Sequence, residues 1–284
     1  MPDPSRSETA DDYPDSSYNT SIRHQGLWPG HMPYLSIGMG EPLVFIPGLV
    51  AHNEPPTGTE RRFHAQLIMP FAHDRRVWWV NRRRHLSPNV TMGDLAGHYA
   101  AAMRAKFHAP VDVIGTSTGG SIALQLAMDH PDVVRRLVIV SSAYRLSARG
   151  IDSQRRLANL LRARHRRGAG AEAMAMQGDS PVSERILRGV GWMLGPTVFN
   201  KPYSDVLATI TAEEQFDVRD RLHEITAPTL VIGGSKDAYY GEQLFTETAN
   251  LIHGARLAIY DGVGHSGTFG PRLVADVKRF LHGD

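Results

Sequence analysis

Six short apolar runs, at residues 43–46, 77–80, 111–114, 137–140, 229–232 and 256–260, are what most constrain this chain. They are too short to be buried helices and, Asp112, Thr229 and Arg256 apart, too continuously apolar for strands with one wet face, so they read as strands covered on both sides. Helical spacing fills most of the gaps, over residues 60–73, 91–106, 117–130, 242–252 and 269–281. Thr91 with Asp94 three residues on is a capping-box variant that starts the second of these. Residues 34–37 add a further strand, and Gly38-Met39-Gly40-Glu41-Pro42 is turn chemistry. Such alternation predicts an α/β fold: a mostly parallel central sheet with helices on both faces. It is interrupted at residues 145–225, where no strong strand pattern occurs. Helical stretches there are separated by Gly168, Gly170, Gly178, Gly191 and Gly195, read as joints. The division expected is residues 1–22 as a disordered, Pro/Ser-rich acidic arm, 23–144 and 226–284 as the core, and 145–225 as a helical cap.

Composition removes several function classes. With no cysteine there is no disulfide framework, thiolate metal site or cysteine nucleophile, which fits a cytoplasmic protein. A net charge of +2 gives no reason to expect nucleic acid as a partner. No apolar run reaches the roughly 18 residues of a membrane span, and the first residues lack the basic start and apolar stretch of a signal peptide. No histidine pair at ligand spacing stands beside a carboxylate cluster, so neither metal nor cofactor is expected. The sequence does not define an oligomeric state.

The most informative segment is Gly115-Thr116-Ser117-Thr118-Gly119-Gly120. Its G-x-S-x-G pattern is common by composition alone, but here a predicted strand precedes it and a predicted helix follows. Glycines on either side allow a turn too tight for side chains, and the turn lifts the Ser117 hydroxyl to the carboxyl edge of the sheet. Two amides are needed to hold an oxyanion. Thr118, after the nucleophile, offers one, and Leu49, past Pro47-Gly48 at the end of an earlier strand, is the better candidate for the other.

A serine hydroxyl needs a base. There are fourteen histidines, so position must choose among them. His265, in Gly262-Val263-Gly264-His265-Ser266-Gly267 directly after the last strand, is the candidate. An orienting carboxylate is expected at Asp237, after the penultimate strand, with Asp261 as its competitor. Asp112, inside a strand, reads as structural. His52 lies near the oxyanion loop and is a candidate for substrate contact. Trp192 and Met193, with Met174 and Met176, are candidates to line an apolar acyl pocket, weighed against simple cap packing. Residues 145–167 hold eight arginines and one acid, Asp152. They read as a solvated face in preference to an anion-binding one.

Taken together, the elbow around Ser117, Asp237 after Ala227-Pro228-Thr229-Leu230-Val231-Ile232-Gly233-Gly234, and Val263-Gly264-His265-Ser266 resemble the α/β-hydrolase superfamily, in its triad order Ser, Asp, His. The resemblance spans about residues 33–284 and is weaker over 145–225, where family members carry a variable helical cap. Two departures stand out: Pro47-Gly48 where many members have His-Gly, and Asn81-Arg82-Arg83-Arg84-His85 in place of an acidic, Gly-rich turn. The resemblance implies a serine hydrolase that cleaves a small-molecule carboxylic ester through an acyl-enzyme. The alternatives are another reaction of the same triad (perhydrolysis, lactone or C–C hydrolysis, acyl transfer) or a ligand-sensing α/β-hydrolase relative whose slow hydrolysis serves sensing.

Overall fold

The computed structural model describes residues 23–283; the expectation of a disordered arm concerns residues 1–22 and lies outside the described residues. Eight strands form one sheet: β1 (Arg23–Trp28), β2 (Met32–Ile37), β3 (Glu41–Ile46), β4 (Arg75–Val80), β5 (Val111–Thr116), β6 (Val134–Val140), β7 (Thr229–Gly234) and β8 (Arg256–Tyr260). Their order is β1-β2-β4-β3-β5-β6-β7-β8. From β4 to β8 all neighbours are parallel, and the β1–β2 pair is antiparallel and joins β4 antiparallel. β1 has no counterpart in the sequence reading. Its residues RHQGLW carry one Gly and few apolar side chains, and it forms at the sheet edge by pairing with β2.

The inner parallel strands, β3 to β7, are largely buried on both faces, as their mostly apolar sequences require, whereas β8 at the sheet edge is half-exposed, with Leu257 39% exposed. Alternate residues go to opposite cores: Val44, Val113 and Ile139 to one, Phe45, Ile114 and Val138 to the other. The first core is completed by α2 (Met92–Lys106), α3 (Thr118–Asp129) and α8 (Glu242–Leu251). The second is completed by α1 (Gly58–Ile68) and α9 (Pro271–His282). α1 stops short of residue 73 because Pro70 turns the chain into a short 3-10 segment. Likewise, α9 begins at Pro271, whose fixed φ suits a first helical position.

The interval between β6 and β7 holds α4 (Ala148–Arg162), α5 (Arg166–Ala175), α6 (Pro181–Val198) and α7 (Ser204–Glu214). Apart from the isolated bridge of Arg145 with Asp217, none of its described residues pairs as a strand. Its glycines are not the joints expected. Gly168 and Gly170 lie inside α5, Gly191 and Gly195 inside α6, and only Gly178 falls between helices. A Cβ on Gly170 would stand 2.1 Å from the Gly191 carbonyl oxygen, and one on Gly195 would stand 2.2 Å from the Arg166 carbonyl oxygen. The glycines therefore let two helices meet backbone to backbone. A small core of its own, with Leu157, Leu161, Phe199 and Ile210, includes Leu49 and Ala51 of the loop after β3 at its margin. No helix among the described residues is long and apolar enough to cross a membrane.

Candidate active site

The chain runs from β3 to β4 on one side of the sheet, then crosses to β5 on the other side of β3. Connections leaving the carboxyl ends of β3 and β5 therefore diverge, and a crevice opens between them. Ser117 stands there, between β5 and α3, with φ 51° and ψ −127°. That backbone is held by a hydrogen bond from its N–H to the Val140 carbonyl, 2.9 Å. The flanking glycines have a steric cause. A Cβ at Gly115 would lie 2.5 Å from the Gly119 carbonyl oxygen, and one at Gly119 would lie 2.2 Å from the Ile46 carbonyl oxygen.

His265 and Asp237 converge on the same edge. The Ser117 hydroxyl lies 3.0 Å from His265 Nε2, and His265 Nδ1 lies 2.7 Å from Asp237 Oδ2. Asp237 keeps its other oxygen for the N–H groups of Tyr239 and Tyr240, at 2.9 and 3.2 Å. Both His265 and Asp237 are buried. Asp261 does not join them; it accepts a hydrogen bond from the Ser235 hydroxyl. The His265 loop is held from below by Ser141, whose hydroxyl donates to the His265 carbonyl, 3.1 Å.

A cavity of about 260 Å³ opens over Ser117, and both Leu49 and Thr118 line it. The structure places the remaining sequence candidates elsewhere. Trp192 and Met193 lie on the outer side of α6, 51% and 69% exposed, and neither reaches the cavity. The reason is the glycine face of α6: with Gly191 and Gly195 turned inward against α5, its large apolar side chains point out. Arg167 stacks over the Trp192 ring instead, 4.3 Å from its centroid. Met174 and Met176 are absent from the lining as well. His52 is buried, but its ring is occupied by the Glu54 N–H, 3.2 Å from Nδ1, and by Glu60, 3.4 Å from Nε2. The apolar wall comes from Leu157 of α4, Leu67 and Phe63 of α1, and Phe269.

Further residues that the motifs do not name gather around the site. Glu213, at the end of α7, is buried and accepts hydrogen bonds from Thr118 Oγ1 (2.7 Å), Gln154 Nε2 (2.7 Å), Ser121 Oγ (3.1 Å) and the Tyr240 hydroxyl (3.3 Å). Burial, and then the Glu213 charge, push the Tyr240 phenol well above its ordinary range. The rings of Tyr239 and Tyr240 lie 4.8 and 6.0 Å from that of His265. The adjacency of these tyrosines to Asp237 was a usable signal, whereas Glu213 lies 95 residues from Thr118. Among the described residues, no three His, Asp or Glu side chains gather as a metal-ligand set.

The parallel sheet, the strand–turn–helix elbow and the crevice at its switch point define an α/β hydrolase. Residues 80–271 match the family described as serine aminopeptidase, S33, and the chain belongs to that family. It is 26% identical over 235 residues to pyrrolizixenacetamide deacetylase of Xenorhabdus hominickii, covering 78% of this chain and 84% of that protein. It is 26% identical over 174 residues to a pimeloyl-[acyl-carrier protein] methyl ester esterase of Neisseria meningitidis, covering 59% of this chain and 67% of that one. Among solved structures, the α/β hydrolase MGS-M2 from a Medee basin deep-sea metagenome superposes with a TM-score of 0.75. That pair is 16% identical over 94% of this chain and 98% of the other, a likeness of fold.

Proposed function

We propose that this hydrolase cleaves a small carboxylic ester by acyl transfer to water, with Ser117 as nucleophile, His265 as base and Asp237 as its orienting acid. The observation that carries the reading is the unbroken hydrogen-bonded chain Ser117–His265–Asp237 at the floor of an apolar cavity. Ser117 Oγ attacks the ester carbonyl while His265 Nε2 takes its proton. Asp237 holds Nδ1–H, fixing the tautomer and stabilising the imidazolium. The Leu49 and Thr118 amides hold the oxyanion. As the intermediate collapses, His265 gives its proton to the leaving alcohol; it then activates a water that releases the acid.

The four-helix insertion acts in this reading as a cap that shapes substrate choice without supplying a triad member. The residues that support this are Gln154 and Leu157 of α4, Ala173 of α5 and nearby Gln177, all of which line the cavity. At about 260 Å³ the space lies just under the ~300–1,000 Å³ of common ligand sites. Short acyl groups are therefore the expected substrates.

A panel of nitrophenyl esters from short to long acyl chains tests this. Short chains should be turned over fastest, and Ser117→Ala should lose about 10³-fold or more in turnover while keeping its fold. Undiminished turnover in folded Ser117→Ala contradicts the proposal.

A further inference from the structure

The run Asn81-Arg82-Arg83-Arg84 clasps the loop after β3. Asn81 Nδ2 donates to the His52 carbonyl (3.2 Å), Asn53 Nδ2 to the Arg83 carbonyl (2.9 Å) and Arg84 Nε to Glu54 (3.1 Å). At the centre of this clasp is Arg82, only 1% exposed. Its Nη1 donates to the Pro47 carbonyl, 3.2 Å, and its Nη2 to the Gly48 carbonyl, 3.0 Å. Among the described residues no carboxylate lies within ion-pairing distance of it, and its Nε has no hydrogen-bond partner. Burying a cation on carbonyls alone is costly, and burial pulls the guanidinium pKa downward, with the Tyr99, Glu213 and Asp205 charges opposing it. An apolar side chain would fill the same space without that cost.

What the guanidinium fixes is the direction of two peptide planes. In a planar trans peptide the C=O and N–H point to opposite sides, and no described peptide bond is cis. The Pro47–Gly48 plane is tied on both sides, by Arg82 at its oxygen and by Thr116 Oγ1 at the Gly48 N–H, 3.1 Å. The Gly48–Leu49 plane is tied at its oxygen by Arg82, which turns the Leu49 N–H to the opposite side. Gly48 itself presses against Ser117, whose Cβ lies 3.1 Å from where a Gly48 Cβ would stand. A cation behind a carbonyl also polarises that peptide, strengthening the N–H as a donor.

We propose that Arg82 is a positioning residue that aims the Leu49 amide at the oxyanion, through its two bonds to the Pro47 and Gly48 carbonyls. This rests on the reading of Ser117 as the nucleophile. Arg82 touches neither substrate nor triad, and acts through the backbone of the loop. A lysine keeps the charge but cannot fork to two carbonyls.

The test is steady-state kinetics on a short nitrophenyl ester, normalised to sites titrated with a fluorophosphonate, with inhibition by a trifluoromethyl ketone as a second readout. Removing an oxyanion donor outright costs about 10²–10³-fold, so losing its aim in Arg82→Met should lower kcat per titrated site by roughly 10–100-fold. KM should change less than about threefold, and the ketone should lose affinity in parallel with kcat. Arg82→Lys should fall between the two. A merely structural role would lower the titrated fraction and leave kcat per site and ketone affinity as they were. That result, in either variant, overturns the inference. Arg82→Lys answers the question if Arg82→Met does not fold. Absence of both label and turnover in the unaltered protein overturns the esterase reading and this inference with it.

Discussion

Ser117 occupies a backbone region with φ 51° that costs a non-glycine residue roughly 1–3 kcal/mol. The expense is met by neighbours that permit no other path, Gly119 above all. Gly119→Ala would drive a Cβ to 2.2 Å from the Ile46 carbonyl oxygen. Backbone cannot yield as a flexible side chain does, so this variant should lose both stability and most ester turnover, read by thermal melting and the nitrophenyl assay. Two acids separate at the same scale. Asp237→Asn should cripple turnover by leaving His265 in the wrong tautomer, whereas Asp261→Asn, which faces Ser235, should leave it nearly unchanged. The reverse ranking would contradict the assignment. Asp112 has the other kind of role. Fully buried in β5, it binds Arg75 of β4 at 2.6 Å and Arg135 of β6 at 2.9 Å. Asp112→Ala should cost about 3–5 kcal/mol in denaturant unfolding, because Arg75 would be left buried without its partner.

At the scale of elements, α2 and α6 show where local sequence decides and where it does not. Thr91 and Asp94 form the reciprocal cap their spacing announces: Thr91 Oγ1 accepts from the Asp94 N–H and Asp94 accepts from the Thr91 N–H. The hydrogen bond from the Thr91 N–H, then that from its hydroxyl, holds the Asp94 carboxyl below the usual range. A depressed carboxylate pKa contributes stability above the ordinary value, and this is lost as pH falls through the folded one. Asp94→Ala should therefore lower stability at neutral pH, a difference that closes in acid when unfolding is followed against pH. α6 misled the sequence reading. Trp192 and Met193 carry the apolar bulk expected of a pocket wall, but Gly191 and Gly195 claim the inner face by close contact with α5. Helix orientation there is set by where small residues allow approach, and the count of apolar side chains did not reveal it. The cavity wall on the insertion side falls to Leu157. Leu157→Ala should thus change the ranking of acyl chain lengths, while Trp192→Ala should leave it as it was.

The whole molecule follows from a sheet whose strands alternate between two cores and whose connections part at β3. Largely apolar runs of four or five residues made the parallel sheet legible, because burial on both faces explains all but the edge strand β8. Ser117, Asp237 and His265 were legible for a related reason: each follows a strand, and carboxyl-end loops share one edge. The sequence did not disclose the groups that join the site from far along the chain. Glu213 reaches Thr118 from the insertion, and Arg82 reaches Pro47 and Gly48 from the next strand's loop. Such contacts are properties of the assembled sheet, and their residue types read as ordinary surface charges until the fold buries them. In the function proposed, one serine, made nucleophilic by this assembly, carries the chemistry. The most direct measurement is mass-spectrometric mapping of a fluorophosphonate adduct. A single adduct on Ser117, formed by the unaltered protein and strongly slowed in His265→Ala, is the result predicted. An adduct on a different serine, or labelling of Ser117 at an equal rate without His265, would contradict it.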